Sequence, residues 1–136
     1  MKISIKTTVN APIERVWSTW TSSDDITKWN FASDEWCCPK AKIDLKQGGR
    51  FSYRMEAKDG SMGFDFDGKF VAIDTNKKII FTLGDNRMVE VTFVETADGI
   101  TLTETFEAED ENSAEQQKQG WQCILNNFKA YVEQNL

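Results

Sequence analysis

From residue 41 to residue 108 apolar and polar side chains alternate in short runs, and each run ends in residues that favour turns. Phe51, Tyr53 and Met55 alternate in this way, as do Phe64 and Phe66, then Ile79, Phe81 and Leu83, then Val89, Val91 and Phe93. A period of two places one set of side chains on one face of a pleated strand. The runs Ala41–Leu45, Arg50–Ala57, Ser61–Ile73, Lys78–Leu83, Met88–Glu95 and Ile100–Ala108 therefore predict successive antiparallel strands. Between them stand Gln47–Gly49, Lys58–Gly60, Asp74–Asn76, Gly84–Asn86 and Ala97–Gly99, each with turn chemistry. A sheet with one apolar face has to be covered by something.

The cover is legible at the end of the chain. Trp121, Leu125, Phe128 and Val132 recur at i, i+4, i+7 and i+11, a single helical stripe, while Gln117, Lys118, Asn126 and Lys129 are expected elsewhere around the helix. Asn112 or Ser113 is the expected N-cap, with Glu115 or Gln116 completing a capping box. At the other end, residues 2–9 alternate with Ile3, Ile5 and Val9 on one side, the pattern of a further strand. Asn10 as N-cap and Pro12 in the first turn then open a helix that carries Ile13, Val16, Trp17 and Trp20 and ends near Thr21. Ser22 and Ser23 cap a second short helix with Asp24 and Asp25 in its first turn and Ile26 and Trp29 facing inward. No period survives from Asn30 to Lys40, which reads as a loop carrying Phe31 and Trp36. The expected architecture is α+β: a curved antiparallel sheet of six to seven strands wrapped around one long terminal helix, as a single domain over residues 1–136.

Composition narrows the chemistry. The chain holds five Trp, two Tyr and nine Phe but no histidine, so a histidine-based nucleophile system, a histidine-containing zinc site and a histidine pH switch are excluded. A net charge of −6 lacks the basic footprint that nucleic acid or an anionic membrane would require. The alternating amino terminus is neither a signal peptide nor a membrane span, so a cytoplasmic location is expected, with no membrane insertion. Cys37, Cys38 and Cys123 are odd in number, form no CxxC motif and fall one short of a Cys-only zinc site, which favours structural thiols in a reducing compartment. No nucleotide-binding glycine motif occurs, and no metal or cofactor is expected.

Certain short motifs carry a resemblance. Gly48-Gly49-Arg50-Phe51 leads a turn into a strand, Asp59-Gly60 forms a later turn, Gly68 lies inside a strand, and Gly120-Trp121 opens the helical stripe. In this order and spacing they resemble the START-like, or SRPBCC, helix-grip superfamily. Ala11-Pro12, Val16-Trp17, Trp29 and the two glycine motifs most resemble, within it, the family named for the activator of heat-shock protein 90 ATPase, specifically its carboxy-terminal domain. The resemblance covers essentially the whole chain. It implies a deep cavity between sheet and terminal helix, used across the superfamily for lipids, sterols, polyketides and other apolar molecules.

The candidate lining of such a cavity is Trp17, Trp20, Trp29, Phe31, Trp36, Phe51, Tyr53, Met55, Phe64, Phe66, Phe81, Met88, Trp121, Leu125 and Phe128. Ordinary core packing is the competing reading for each ring taken singly. Tyr53 and the indole nitrogens of Trp29, Trp36 and Trp121 are the candidate polar groups for orienting a ligand, or else bond to backbone. Arg54, Glu56, Asp65 and Asp67 fall on the opposite parity and read as solvated, and the acids at 107 and 109–111 read as helix-end electrostatics. The expected function is non-enzymatic binding of a small hydrophobic or amphipathic ligand. A chaperone-associated, stress-response interaction protein is the second expectation. An enzyme resembling polyketide cyclases and aromatases, with Tyr53, Asp34 and Glu35 as its first candidates, is the third.

Overall fold

The computed structural model describes residues 1–136, in the order β1 (Lys2–Val9), α1 (Ile13–Thr21), α2 (Ser23–Trp29), β2 (Trp36–Ile43), β3 (Arg50–Ala57), β4 (Gly63–Asp74), β5 (Lys78–Leu83), β6 (Met88–Thr96), β7 (Gly99–Glu107) and α3 (Ala114–Gln134). The seven strands form one antiparallel sheet in the order β1-β7-β6-β5-β4-β3-β2, curled into a half-barrel. Every consecutive pair from β2 to β7 is a neighbour, and β1 closes on β7, so the chain meanders across the sheet after its first strand. Trp17, Ile26, Phe51, Phe81, Val91, Leu102, Phe106, Leu125 and Phe128 lie in one continuous buried core.

The alternation places the inner face as expected along most of the sheet. β5 buries Ile79, Phe81 and Leu83, β6 buries Val89, Val91 and Phe93, and β7 buries Ile100, Leu102, Glu104 and Phe106. Met88 is out of step with that parity and is exposed on the outside. Arg54 pairs with Glu56 at 2.9 Å and with Asp65 at 3.5 Å, all on the solvated face.

Three local expectations are corrected. The stretch Asn30–Lys40 is not loop to its end: β2 begins at Trp36 and finishes at Ile43, before the expected Leu45. Its alternation is broken by a register shift against β3 between Cys37 and Lys40, which straddles Pro39. Proline lacks the N–H that a central strand would need, and β2 is an edge strand with a bulge, where that lack costs little. Neither short helix uses a side-chain cap: Pro12 itself is the N-cap residue of α1 in place of Asn10, and Ser22 precedes α2 without a side-chain bond. Gln117 is buried on the inner side of α3, one turn before Trp121. Its amide accepts from Glu109 N–H at 2.8 Å and donates to the Asn112 carbonyl at 2.8 Å, so it ties the β7–α3 loop to the helix. Ser113 and Gln116 form the capping box.

Helix α3 packs along β1 and against α1 and α2, while α2 packs on β2. Two bonds lock the helices together: Asn127 Nδ2 donates to the Trp29 carbonyl at 2.8 Å, and Tyr131 Oη donates to Asp25 at 2.7 Å. Helices thus bridge the two edges of the sheet over its concave face.

Gly68, in the middle of β4, lets the Phe51 ring and the β5 backbone approach closely. A Cβ there would stand 2.2 Å from the Thr82 carbonyl oxygen and 2.8 Å from the Phe51 ring. Since the oxygen belongs to backbone, the strand cannot yield cheaply, and Gly68→Ala is expected to destabilise the fold by about 1–3 kcal/mol in urea unfolding, the usual cost of overpacking. An unchanged midpoint would show that β4 and β5 separate without strain.

Candidate functional site

Between the concave sheet and α3 lies a cavity of about 170 Å³ lined by 16 residues, 13 of them hydrophobic. Its floor comes from β3, β4 and β5: Phe51, Tyr53 and Met55, then Phe64, Phe66 and Phe70, then Ile79 and Phe81. Trp121 and Ile124 of α3 form the roof, Trp20, Thr21, Trp29 and Asn30 close one end, and Ile43 and Glu104 complete the wall.

The rings hold one another in place. Phe51 is the hub of the floor, with ring centroids 5.0 Å from Tyr53, 5.3 Å from Phe70 and 5.0 Å from Phe81. Trp121 stacks on Phe106 at 3.9 Å and receives Phe66 edge-on at 5.9 Å. Trp20 and Trp29 stack at 5.0 Å, and the Phe128 ring meets both edge-on. Such pairs contribute roughly 0.5–1.5 kcal/mol each beyond their burial, so the walls are rigid and resist closing over the void.

Of the residues expected to line a cavity, Trp20, Trp29, Phe51, Tyr53, Met55, Phe64, Phe66, Phe81 and Trp121 do border it. The others do not. Trp17 packs edge-on against Phe93, and Leu125 and Phe128 are wholly buried in the core behind the wall. Phe31 is half-buried against the core, and Trp36 reaches the site only through its edge contact with Phe64 at 6.1 Å. Met88 is on the outer face. Thr21, Asn30, Ile43, Phe70, Ile79, Ile124 and Glu104 line the cavity and were not expected there. Of the three enzyme candidates only Tyr53 borders it; Asp34 and Glu35 are exposed in the loop before β2.

The polar groups divide into spent and free. Trp29 Nε1 donates to the Thr19 carbonyl at 3.0 Å, and Thr21 Oγ1 donates to the Trp17 carbonyl at 2.8 Å. Asn30 Nδ2 lies 3.3 Å from Met55 Sδ. Tyr53 has no bonded partner, and burial, aided by nearby Cys38, pushes its hydroxyl well above the usual phenol range. Burial likewise raises the thiol of Cys38, which keeps it protonated and unreactive.

Glu104 is the outlier. It is 7% exposed, faces inward between Leu102 and Phe106, and burial alone pushes its carboxyl up to about 8. Its ladder neighbours are Ile5 and Val91, both apolar. The signal was present in the sequence: Ile100, Leu102, Glu104 and Phe106 share one parity of β7, so a carboxylate interrupts an otherwise apolar column.

Comparison with known proteins places this geometry. A family model described as Activator of Hsp90 ATPase homolog 1-like protein matches residues 10–133. The solution structure of the AHSA1-like protein from Aeromonas hydrophila is 44% identical, with a TM-score of 0.94, covering 99% of this chain and 94% of that one. The solution structure of Chr148 from Cytophaga hutchinsonii is 48% identical, with a TM-score of 0.85, covering 98% and 93%. CV1439 from Chromobacterium violaceum, at 22% identity and a TM-score of 0.85 over 98% of each chain, shares the fold. No curated protein matches the chain. No helix is long and apolar enough to cross a membrane.

The raised Glu104 carboxyl fixes a sign for pH dependence. The unfolded chain releases this proton near 4.5, the folded chain near 8, so the stability that the neutral form allows is whole below the lower value. It is lost as pH rises from 4.5 to 8, by an amount on the order of a few kcal/mol, and is flat above. Thermal unfolding of the protein and of Glu104→Gln across pH 5–9 should show the variant gaining on the parent with rising pH. Parallel curves would refute the buried, unpaired state of this carboxyl.

Proposed function

This chain belongs to the family of Activator of Hsp90 ATPase homolog 1-like proteins, and from that premise we propose that it binds a small apolar or amphipathic molecule in the cavity between its sheet and α3, without transforming it. The single observation that carries this reading is a void of about 170 Å³ kept open in a chain with ample aromatic volume to fill it. At roughly 24 cal/mol per Å³ a sealed void of this size costs up to about 4 kcal/mol, and the part-open mouth beside the exposed Phe64 ring leaves apolar wall in contact with water instead. Mutation readily supplies larger side chains at wall positions, so an open cavity at that cost argues for an occupant.

The dimensions set the occupant's size. An engineered cavity of about 150 Å³ takes up benzene, so this one suits a single ring with a short arm and not a sterol or a long acyl chain. Burying a ring of about 200 Å² contributes roughly 5 kcal/mol before the cost of immobilisation, which places affinity for a plain hydrocarbon near the millimolar range. The acid-base groups of a cyclase are few here, since only Tyr53 and Glu104 among the lining residues ionise.

Propylbenzene is a suitable neutral probe. Titration followed by NMR is expected to shift the Trp121 indole and Ile124 methyl signals saturably, and Ile124→Trp, which fills the void, is expected to remain folded and lose the effect. Absence of any shift in the parent would overturn the reading. Modulation of an Hsp90 ATPase is the second reading, favoured by the family match alone; ATP turnover by the host's own Hsp90 should be unchanged on adding this protein if binding is its whole role.

A further inference from the structure

We propose that the cavity is selective for a small aromatic or alicyclic amine, held by its cationic nitrogen against Glu104 with its ring among the wall aromatics. This rests on the ligand-binding reading and names the class of ligand. Glu104 is a carboxyl buried to 7% exposure that borders the void and has no hydrogen-bond or ion-pair partner in the protein. A buried polar group of this kind is costly unless something bonds to it, and only an occupant of the cavity is placed to do so.

The rest of the lining selects the sign of the charge. None of the 16 residues is Lys or Arg, and nine are aromatic. Ring faces are the negative side of the aromatic quadrupole and attract cations. A carboxylate or phosphate ligand would find no counter-charge, and a plain hydrocarbon would leave Glu104 unbonded. An ammonium group meets both demands. The surroundings of Glu104 contribute no competing charge: Ile5 of β1 and Val91 of β6 flank it in the ladder, Trp121 and Ile124 of α3 lie over the cavity, and Trp20, Thr21, Trp29 and Asn30 close its end. Tyr53 of β3 is the sole other titratable group in the lining, and it is neutral over the working range. The carboxyl is already desolvated by the fold, so ion-pair formation adds the desolvation of the amine and the loss of the carboxyl proton to solvent.

Proton balance follows. In the free protein the Glu104 carboxyl, raised to about 8, is mostly protonated at pH 7. An incoming ammonium ion keeps its own proton, pairs with the carboxylate and expels the carboxyl proton to solvent, so close to one proton is released per amine bound. Affinity for the amine accordingly rises with pH from 6 to 8.

The test compares three probes of one shape: 2-phenylethylamine, propylbenzene and 3-phenylpropanoate, by calorimetry at pH 7 in two buffers of different ionisation enthalpy and by the same NMR signals. Expected is an amine affinity at least about tenfold above that for propylbenzene, close to one proton released, no binding of the anion, and a loss of amine affinity of about tenfold or more in Glu104→Gln that exceeds any change for propylbenzene and removes the preference between the two. Propylbenzene binding as well as the amine, or an amine preference that survives Glu104→Gln, overturns the selectivity and leaves the binding reading standing. No binding by any probe overturns both. Thermal unfolding of Glu104→Gln beside the parent separates a lost pairing from a lost fold.

Discussion

A straight helix can follow a curled sheet along only part of its width, and the rest of this structure is a consequence of where α3 makes that contact. It lies along β1, at one edge of the sheet, and is bonded to α2, which lies on β2 at the other edge. The middle strands β3 to β5 are therefore roofed at a distance, by side chains and not by close backbone packing. With a helix of 21 residues, about 30 Å long, the contact along β1 is extensive, and the gap over the middle is a stable feature of the geometry.

How that gap is walled explains why it does not collapse. Rings packed edge-to-face or stacked have preferred separations, and each wall aromatic is already engaged: Trp121 by Phe106, Trp20 and Trp29 by Phe128, Tyr53 and Phe70 by Phe51. Moving any of them inward to fill the void would break an established pair. Gly68 serves the same end on the floor, since only a residue without a Cβ lets the Phe51 ring lie down against β4 while β4 keeps its pairing with β5.

Much of this was legible from the residues alone, because the two periods that matter are strong. Parity placed Phe51, Phe81, Val91 and Phe93 on the inner face, and the stripe through Leu125, Phe128 and Val132 located the buried side of α3. What escaped did so for identifiable reasons. A bulge at Pro39 destroys the alternation by which a strand is recognised, so β2 looked like loop over its first half. Gln117 and Glu104 have the right spacing for the interior but the wrong polarity, and a reading that scores apolar periodicity discards such positions. Which rings face space and which face each other is set by how far α3 stands from each strand; no local pattern encodes it, and so Leu125 and Phe128 proved to be core while Ile124, on the adjacent flank, borders the void.

Those misses differ in kind, and the difference bears on function. Gln117 is a buried polar residue whose amide is fully used within the fold, holding the loop before α3. Glu104 is a buried polar residue that nothing in the fold uses. The cavity is likewise unused space, and the two coincide: the unbonded Glu104 carboxyl borders the apolar void between sheet and α3. Each lowers stability by itself, and independent defects would have no reason to share a wall. Folded proteins break the rules of close packing and polar satisfaction at sites of function and offset the loss elsewhere. Here the offset is the network of paired rings, and the two violations become complementary only when a molecule with an apolar ring and a hydrogen-bond-donating nitrogen fills the space and bonds the acid.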